Sequence, residues 1–161
     1  MTDDPSTVDD RPPDAADEPR LPHLPTAADF TAVGEGSLPG LLGVEVVTIE
    51  GTQVVARLPV RPAVMAPIGY LHAATVIALA DTACGYGAWA NLPAGASGFT
   101  TIELKANFLG TARDGSVACT ARLVHGGRST QVWDAEVTAE ATGTTIALFR
   151  CTQLILYPRP A

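Results

Sequence analysis

The stretch from His72 to Asn91 constrains this chain more than any other. It contains no proline and a single charged residue, Asp81, and it is rich in alanine. Wound as a helix, it is apolar on nearly every face, and a helix of that kind has to be buried. It cannot be a membrane span. Its longest uncharged apolar run, Ala73 to Ala80, has eight residues, where a span needs about 20. Asn91, Pro93 and Gly95 mark its end, and Gly85 and Gly87 weaken its second half locally.

The remaining pattern supplies the cover for such a helix. Thr26-Ala-Ala-Asp-Phe opens a short helix with Thr26 as N-cap. Gly43 to Glu50 and Gln53 to Val60 read as strands joined at Glu50-Gly51. After the helix come four more strands: Phe99 to Leu109, Val117 to Val124, Ser129 to Ala139 and Thr144 to Tyr157. Asp114-Gly115, Gly126-Gly127 and Thr142-Gly143 mark the turns between them. In the first of the four, Ile102, Leu104, Ala106 and Phe108 alternate with Thr101, Glu103, Lys105 and Asn107, which places the two sets on opposite faces. Short turns between consecutive strands predict an antiparallel meander. One buried helix with only one sheet to cover it predicts an α+β fold, a curved sheet wrapped around a central helix.

The acidic balance of the 161-residue chain is uneven. Its net charge is −7, yet residues 1–20 hold seven acids and two bases, and six of the 13 prolines fall before residue 26. Residues 1–25 therefore read as a disordered acidic tail, and residues 26–161 as one domain. The charge argues against nucleic acid or anionic membrane as a partner. Only 17% of residues are charged and 47% are hydrophobic, which suits a domain that buries surface against a partner. The N-terminus lacks a basic-then-apolar pattern, so a cytoplasmic location is expected. Cys84, Cys119 and Cys151 form no pair or cluster with metal-ligand spacing; they read as reduced core thiols, and no metal is expected.

Asp81 carries the chemistry. Burying an unpaired carboxylate costs several kcal/mol, so this residue is either poorly buried or retained for a purpose. A buried carboxylate facing a cleft suits a general base or a nucleophile; a helix cap or a backbone acceptor is the structural alternative. His72 cannot pair with it inside one chain. Nine helical positions leave the two half a turn out of phase and about 13 Å apart along the axis. His72 instead marks the start of the helix, where the N–H groups of Ala73 and Ala74 point outward at the positive end of the dipole. That arrangement suits a carbonyl oxygen gaining negative charge. If Asp81 acts on that carbonyl, it comes from a second subunit, and the chain is a homodimer.

The segment Gly69-Tyr-Leu-His-Ala-Ala-Thr-Val-Ile-Ala-Leu-Ala-Asp-Thr-Ala resembles the central helix of hotdog-fold acyl-CoA thioesterases of the phenylacetate-degradation and 4-hydroxybenzoyl-CoA types. Thr101-Ile-Glu-Leu-Lys-Ala-Asn-Phe-Leu, His125-Gly-Gly-Arg-Ser-Thr and Cys151-Thr-Gln-Leu are similar to later strands of that family. The resemblance covers roughly residues 38–157 and implies the hotdog fold, hydrolysis of an acyl-CoA, no cofactor beyond the coenzyme A of the substrate, and a homotetramer built as a dimer of dimers. It implies that Asp81 is nucleophile or base, that the Ala73 N–H following His72 polarises the thioester carbonyl, and that Thr101 helps place the attacking water. Arg128, Ser129 and Thr130 match a turn near the coenzyme A phosphates. Arg113 is a weaker phosphate candidate, and Tyr70, like Ala74, is a candidate substrate contact.

Two departures stand out. The family's Gly-Gly after the histidine is Ala73-Ala74 here, and its Asn or Gln about six residues earlier is replaced by Met65-Ala66-Pro67. These motivate a second reading, a non-catalytic acyl-CoA-binding module. A third, a hotdog hydratase or dehydratase, would place a histidine five residues after the aspartate, where this chain has Tyr86.

Overall fold

The computed structural model describes residues 21–24 and 26–159. The proposed acidic tail lies outside the described residues up to position 20. Residues 21–24 lie against the domain: the Leu21 N–H donates to Ser97 O, the Trp89 indole N–H donates to Pro22 O at 2.8 Å, and Leu24 packs on the core.

Helix α1 (Ala27–Val33) begins in a capping box, with Thr26 and Asp29 satisfying each other's backbone N–H groups. A short helix that the sequence pattern did not announce, α2 (Leu38–Leu42), follows, with Pro39 in its first turn and Gly43 closing it in the left-handed region at φ 79°. Strands β1 (Glu45–Glu50) and β2 (Gln53–Pro59) form a hairpin. A 3₁₀ turn at Pro62–Val64 and a tight loop lead to α3 (Ala73–Ala90), the long central helix. Its bounds match the apolar stretch, with His72 as N-cap and Asn91 as C-cap.

The last four strands are β3 (Gly98–Phe108), β4 (Ser116–Gly126), β5 (Thr130–Ala139) and β6 (Thr145–Leu156). The sheet is antiparallel throughout, in the order β1-β2-β4-β5-β6-β3. This corrects the expected meander. β4, β5 and β6 follow one another, but β3 pairs with β6 at the far edge. The link between β3 and β4 crosses the end of the molecule. Leu109 and Gly110 donate to Ile146 O, Ala112 O accepts from Leu71 N–H, and Gly115 O accepts from Val60 N–H. The connection thus passes the start of α3 and helps wall it in.

The inner face of the sheet carries small residues in rows, such as Ala56–Cys119–Val137–Ala147 and Val54–Ala121–Ala135. They lie under Leu79, Ala80, Ala83 and Cys84 of α3, all fully buried. Short side chains on both surfaces let the helix seat closely on the sheet. Gly87 is the tightest point, since a Cβ there would sit 2.5 Å from the Trp133 indole.

The all-round apolar helix does not have an all-round burial. Ala73 and Ala74 are exposed, and Ile77, Ala78, Asp81 and Thr82 are only half-buried. These positions recur at helical spacing and form one open stripe.

Candidate functional site

The alternation read along β3 fails at one residue. Thr101 pairs with Gln153 and Glu103 with Thr152, so Ile102 is an extra residue bulged out of the ladder. Beyond the bulge Leu104 opposes Cys151, Ala106 opposes Phe149 and Phe108 opposes Ala147. Partners directly across a ladder share a face, and Cys151 and Gln153 both belong to the buried inner face. Thr101 therefore shares the helix-facing side with Leu104, not the opposite one. The bulge aims its hydroxyl at α3, where the Thr101 hydroxyl lies 3.2 Å from Asp81 Oδ1 and 3.0 Å from Gln153 Oε1.

Asp81 makes no ion pair among the described residues. Burial raises its carboxyl pKa, and the Thr101 hydrogen bond opposes that rise in part. The carboxylate is thus weakly solvated yet still on the open stripe of the helix. Behind it are thiols. Cys84 is pushed well up by its contact with Cys151 and by burial, and Cys119 is pushed up to about 12 by burial, so both stay protonated. All three cysteines are buried and free.

At the start of α3 the expected pair of free amides becomes one. His72 Nδ1 accepts from the Ala74 N–H at 3.0 Å, which caps the helix with the imidazole. The reading of both Ala73 and Ala74 as outward donors is corrected accordingly. The Ala73 N–H has no partner among the described residues. Ala73 lines a cavity of about 320 Å³ together with Ile68, Tyr70, Leu71, Val76, Phe108 and Ile146 among others. The Arg113 guanidinium, carried there by the β3–β4 link, sits 4.5 Å from the centre of the Tyr70 ring, a cation–π contact that holds both at the mouth. The loop before the helix turns through Gly69, whose φ of 80° excludes most other residues.

Arg128 and Ser129 lie in the β4–β5 turn. The Arg128 guanidinium lies 5.6 Å from the Tyr157 ring centre, and the Tyr157 hydroxyl donates to Arg128 O at 2.7 Å. Thr130 starts β5, one position before Gln131, which stands in the row Gln131–Gln153–Thr101. This turn belongs to the end of the sheet beneath the finish of α3, because the Gln131 amide donates to Asn91 O. The structure thus groups Tyr70, His72, Ala73 and Arg113 at one end, and Asp81 with Thr101 farther along the helix. Gln153, fully buried at the centre of that second group, was missed as a site residue. Its signal was present: it occupies the register of Ala147, Phe149, Cys151 and Ile155, which are otherwise apolar.

Comparison with known proteins agrees with this architecture. A model of the thioesterase superfamily matches residues 68–146, a span that takes in α3, β3, β4 and β5. A 1,4-dihydroxy-2-naphthoyl-CoA hydrolase from Listeria monocytogenes is 36% identical over 111 residues, 69% of this chain and 89% of that protein. Among solved structures, a variant of thioesterase PA1618 from Pseudomonas aeruginosa superposes with a TM-score of 0.78 at 26% identity, covering 83% of this chain and 96% of that one. A variant of the thioesterase SAV0944 from Staphylococcus aureus reaches a TM-score of 0.70 at 33% identity, over 73% and 97%. The chain belongs to the hotdog-fold thioesterase superfamily and is a thioester hydrolase. That class weighs against the hydratase and the non-catalytic readings.

Proposed function

We propose that the chain works as a homodimer that hydrolyses an acyl-CoA to the free acid and coenzyme A, with each site built from two subunits. The carrying observation is the separation of the two reactive groups on one helix. The unpartnered Ala73 N–H and the Asp81 carboxylate both lie on the open stripe of α3, eight positions apart, about 12 Å along the axis. One chain cannot apply both to one carbonyl. Two antiparallel copies of the stripe, related by a two-fold axis, set each aspartate against the other helix's first turn. The edge strand β3 supports the same pairing. Its outer edge is unpaired among the described residues, and it exposes Ile102, Leu104 and Phe108 at 55%, 42% and 47%.

In this reading the thioester carbonyl oxygen accepts from the Ala73 N–H, which gains strength as the oxygen becomes an oxyanion. Asp81 acts from the other side. As a base it takes a proton from a water that Thr101 helps place; the hydroxide adds to the carbonyl carbon, and the tetrahedral adduct expels the coenzyme A thiolate, which is reprotonated. As a nucleophile its carboxylate adds to the carbonyl carbon and the C–S bond breaks to release the coenzyme A thiolate, which is protonated; water then cleaves the mixed anhydride to the free acid and restores Asp81. The acyl group enters the apolar cavity beside Ala73, and Arg113 and the Arg128 turn supply cationic and hydroxyl contacts for phosphate. Dimers pairing into a tetramer, and a cytoplasmic site of action, complete the proposal.

The test uses two variants that each remove one half of a site. Ala73→Pro deletes the N–H at the first helical position, where proline is tolerated, and His72 already has the extended ψ of 137° that precedes proline well. Asp81→Asn deletes the carboxylate. Each alone should be inactive in a free-thiol assay. Mixed and allowed to exchange subunits, they should recover about a quarter of wild-type turnover, because half of the dimers are mixed and hold one intact site of two. No recovery from a mixture shown to have exchanged would rule out the shared site.

A further inference from the structure

Two glutamines are buried side by side on the inner face of the sheet, Gln131 on β5 and Gln153 on β6, paired across the ladder. Their neighbours treat them differently. Gln131 Oε1 accepts from the Trp133 indole N–H at 2.9 Å, and its Nε2 donates to Asn91 O at 2.8 Å. An indole N–H can only donate and a carbonyl can only accept, so the orientation of that amide is fixed. Gln153 has no such anchors. One end of its amide meets the Thr101 hydroxyl at 3.0 Å and the other meets Cys151 Sγ at 3.4 Å. A hydroxyl and a thiol can each donate or accept, so the amide can sit either way round.

Proton counting then couples the amide to Asp81. The Thr101 hydroxyl has one hydrogen and stands within reach of two acceptors, Asp81 Oδ1 and Gln153 Oε1. With the proton on Asp81 Oδ1, the oxygen that faces Thr101, the chain closes one way: Asp81 donates to Thr101, Thr101 to Gln153 Oε1, and Gln153 Nε2 to Cys151. With Asp81 ionised, Thr101 must give its hydrogen to the carboxylate. Gln153 Oε1 would then face only lone pairs in a buried site, which is costly. Turning the amide over removes the conflict. Nε2 donates to Thr101, Thr101 donates to Asp81, and the Cys151 thiol donates to Oε1.

We infer that Gln153 is a positioning residue for hydrolysis: its amide turns with the proton on Asp81, and in the working state it holds the Thr101 hydroxyl toward the carboxylate. The inference rests on the role proposed above for Asp81. Gln153 reaches that group only through Thr101 and lies buried on the inner face of the sheet, outside the lining of the cavity at Ala73. Around Asp81 the groups that act on it or feel it are Thr101 from β3 and Cys84 from its own helix; Cys84 in turn contacts Cys151 of β6 and feels Cys119 of β4.

The decisive variant is Gln153→Met, which keeps the length of the side chain and removes both amide groups. With folding checked by circular dichroism, kcat should fall about tenfold with KM nearly unchanged, and the acid limb of the kcat–pH profile should move to higher pH, because the ionised carboxylate loses an ordered donor. Gln153→Asn, which withdraws the amide by one methylene, should move both readouts the same way and serves if the methionine variant does not fold. In a Thr101→Val background, Gln153→Met should change kcat less than about twofold, since its route to Asp81 is already cut. An acid limb that stays put or moves down, or equal effects of Gln153→Met with and without Thr101, would overturn the inference. Asp81→Asn separates the two levels. If that variant is inactive while Gln153→Met is unaltered, only this inference fails; if Asp81→Asn is fully active, the inference and the mechanism it rests on fail together.

Discussion

Helix α3 has two sides with opposite tolerances. On the buried side, Gly87 faces the Trp133 indole so closely that a methyl group has no room. On the open side, Asp81 stands half-buried with a single hydroxyl for company. The first side is specified by volume and the second by charge. A helix of alanine, glycine and one acid can serve both, because small residues fix how near the sheet comes and leave the acid unpaired. The sheet then decides how dry that acid is.

The largest expected effect lies on the open side. Asp81→Asn changes shape by almost nothing and should lower turnover of an acyl-CoA by about 10²–10⁴-fold while circular dichroism stays that of the wild type. Retained turnover would erase the difference between the two sides as far as chemistry goes.

Next comes the buried side. Gly87→Ala should cost about 1–3 kcal/mol in a denaturant titration, overpacking against Trp133 outweighing the helix propensity gained. Gly85 sharpens the contrast. A Cβ there meets the Phe99 ring at 3.4 Å, an ordinary contact, so Gly85→Ala should be neutral or stabilising by up to about 1 kcal/mol. If both substitutions behave alike, the close seating at Trp133 is not what limits residue 87.

The smallest effect is one of pH. The pKa of Asp81 is raised in the fold by burial, so the folded state holds that proton more tightly than the unfolded chain does. The stability this confers is complete below the ordinary carboxylate pKa and is lost as pH rises through the raised folded value. Asp81→Asn should therefore raise Tm at neutral pH, and the gain should fade as the pH drops below the ordinary carboxylate range. A gain independent of pH would mean that the carboxylate is not the source.

Much of this was legible in the residues. The ends of α3, the N-cap at Thr26 and the β1–β2 hairpin follow from local patterns, because caps and turns satisfy their own backbone groups within a few residues. The site was only half legible. Asp81 and His72 stand out by charge and spacing, but the path of β3 does not. Nothing local says that its partner is β6 or that Ile102 bulges, since both depend on contacts with a strand some 50 positions away. The misplacement of Thr101 follows directly: without the bulge, strict alternation turns its hydroxyl away from the helix. Gln153 was hidden for a related reason. A glutamine in an alternating strand looks like any polar residue until the register shows which face it shares.

The sequence by itself determined the long central helix, the six strands and the lone acid of that apolar helix, because periodicity, capping and the cost of burying charge act along the chain. Only the tertiary structure decided what that acid meets. Ladder register, the bulge at Ile102 and the crossing of the β3–β4 link are settled by packing between distant segments, and they bring Thr101 and Gln153 toward Asp81 while leaving the Ala73 N–H without a partner among the described residues.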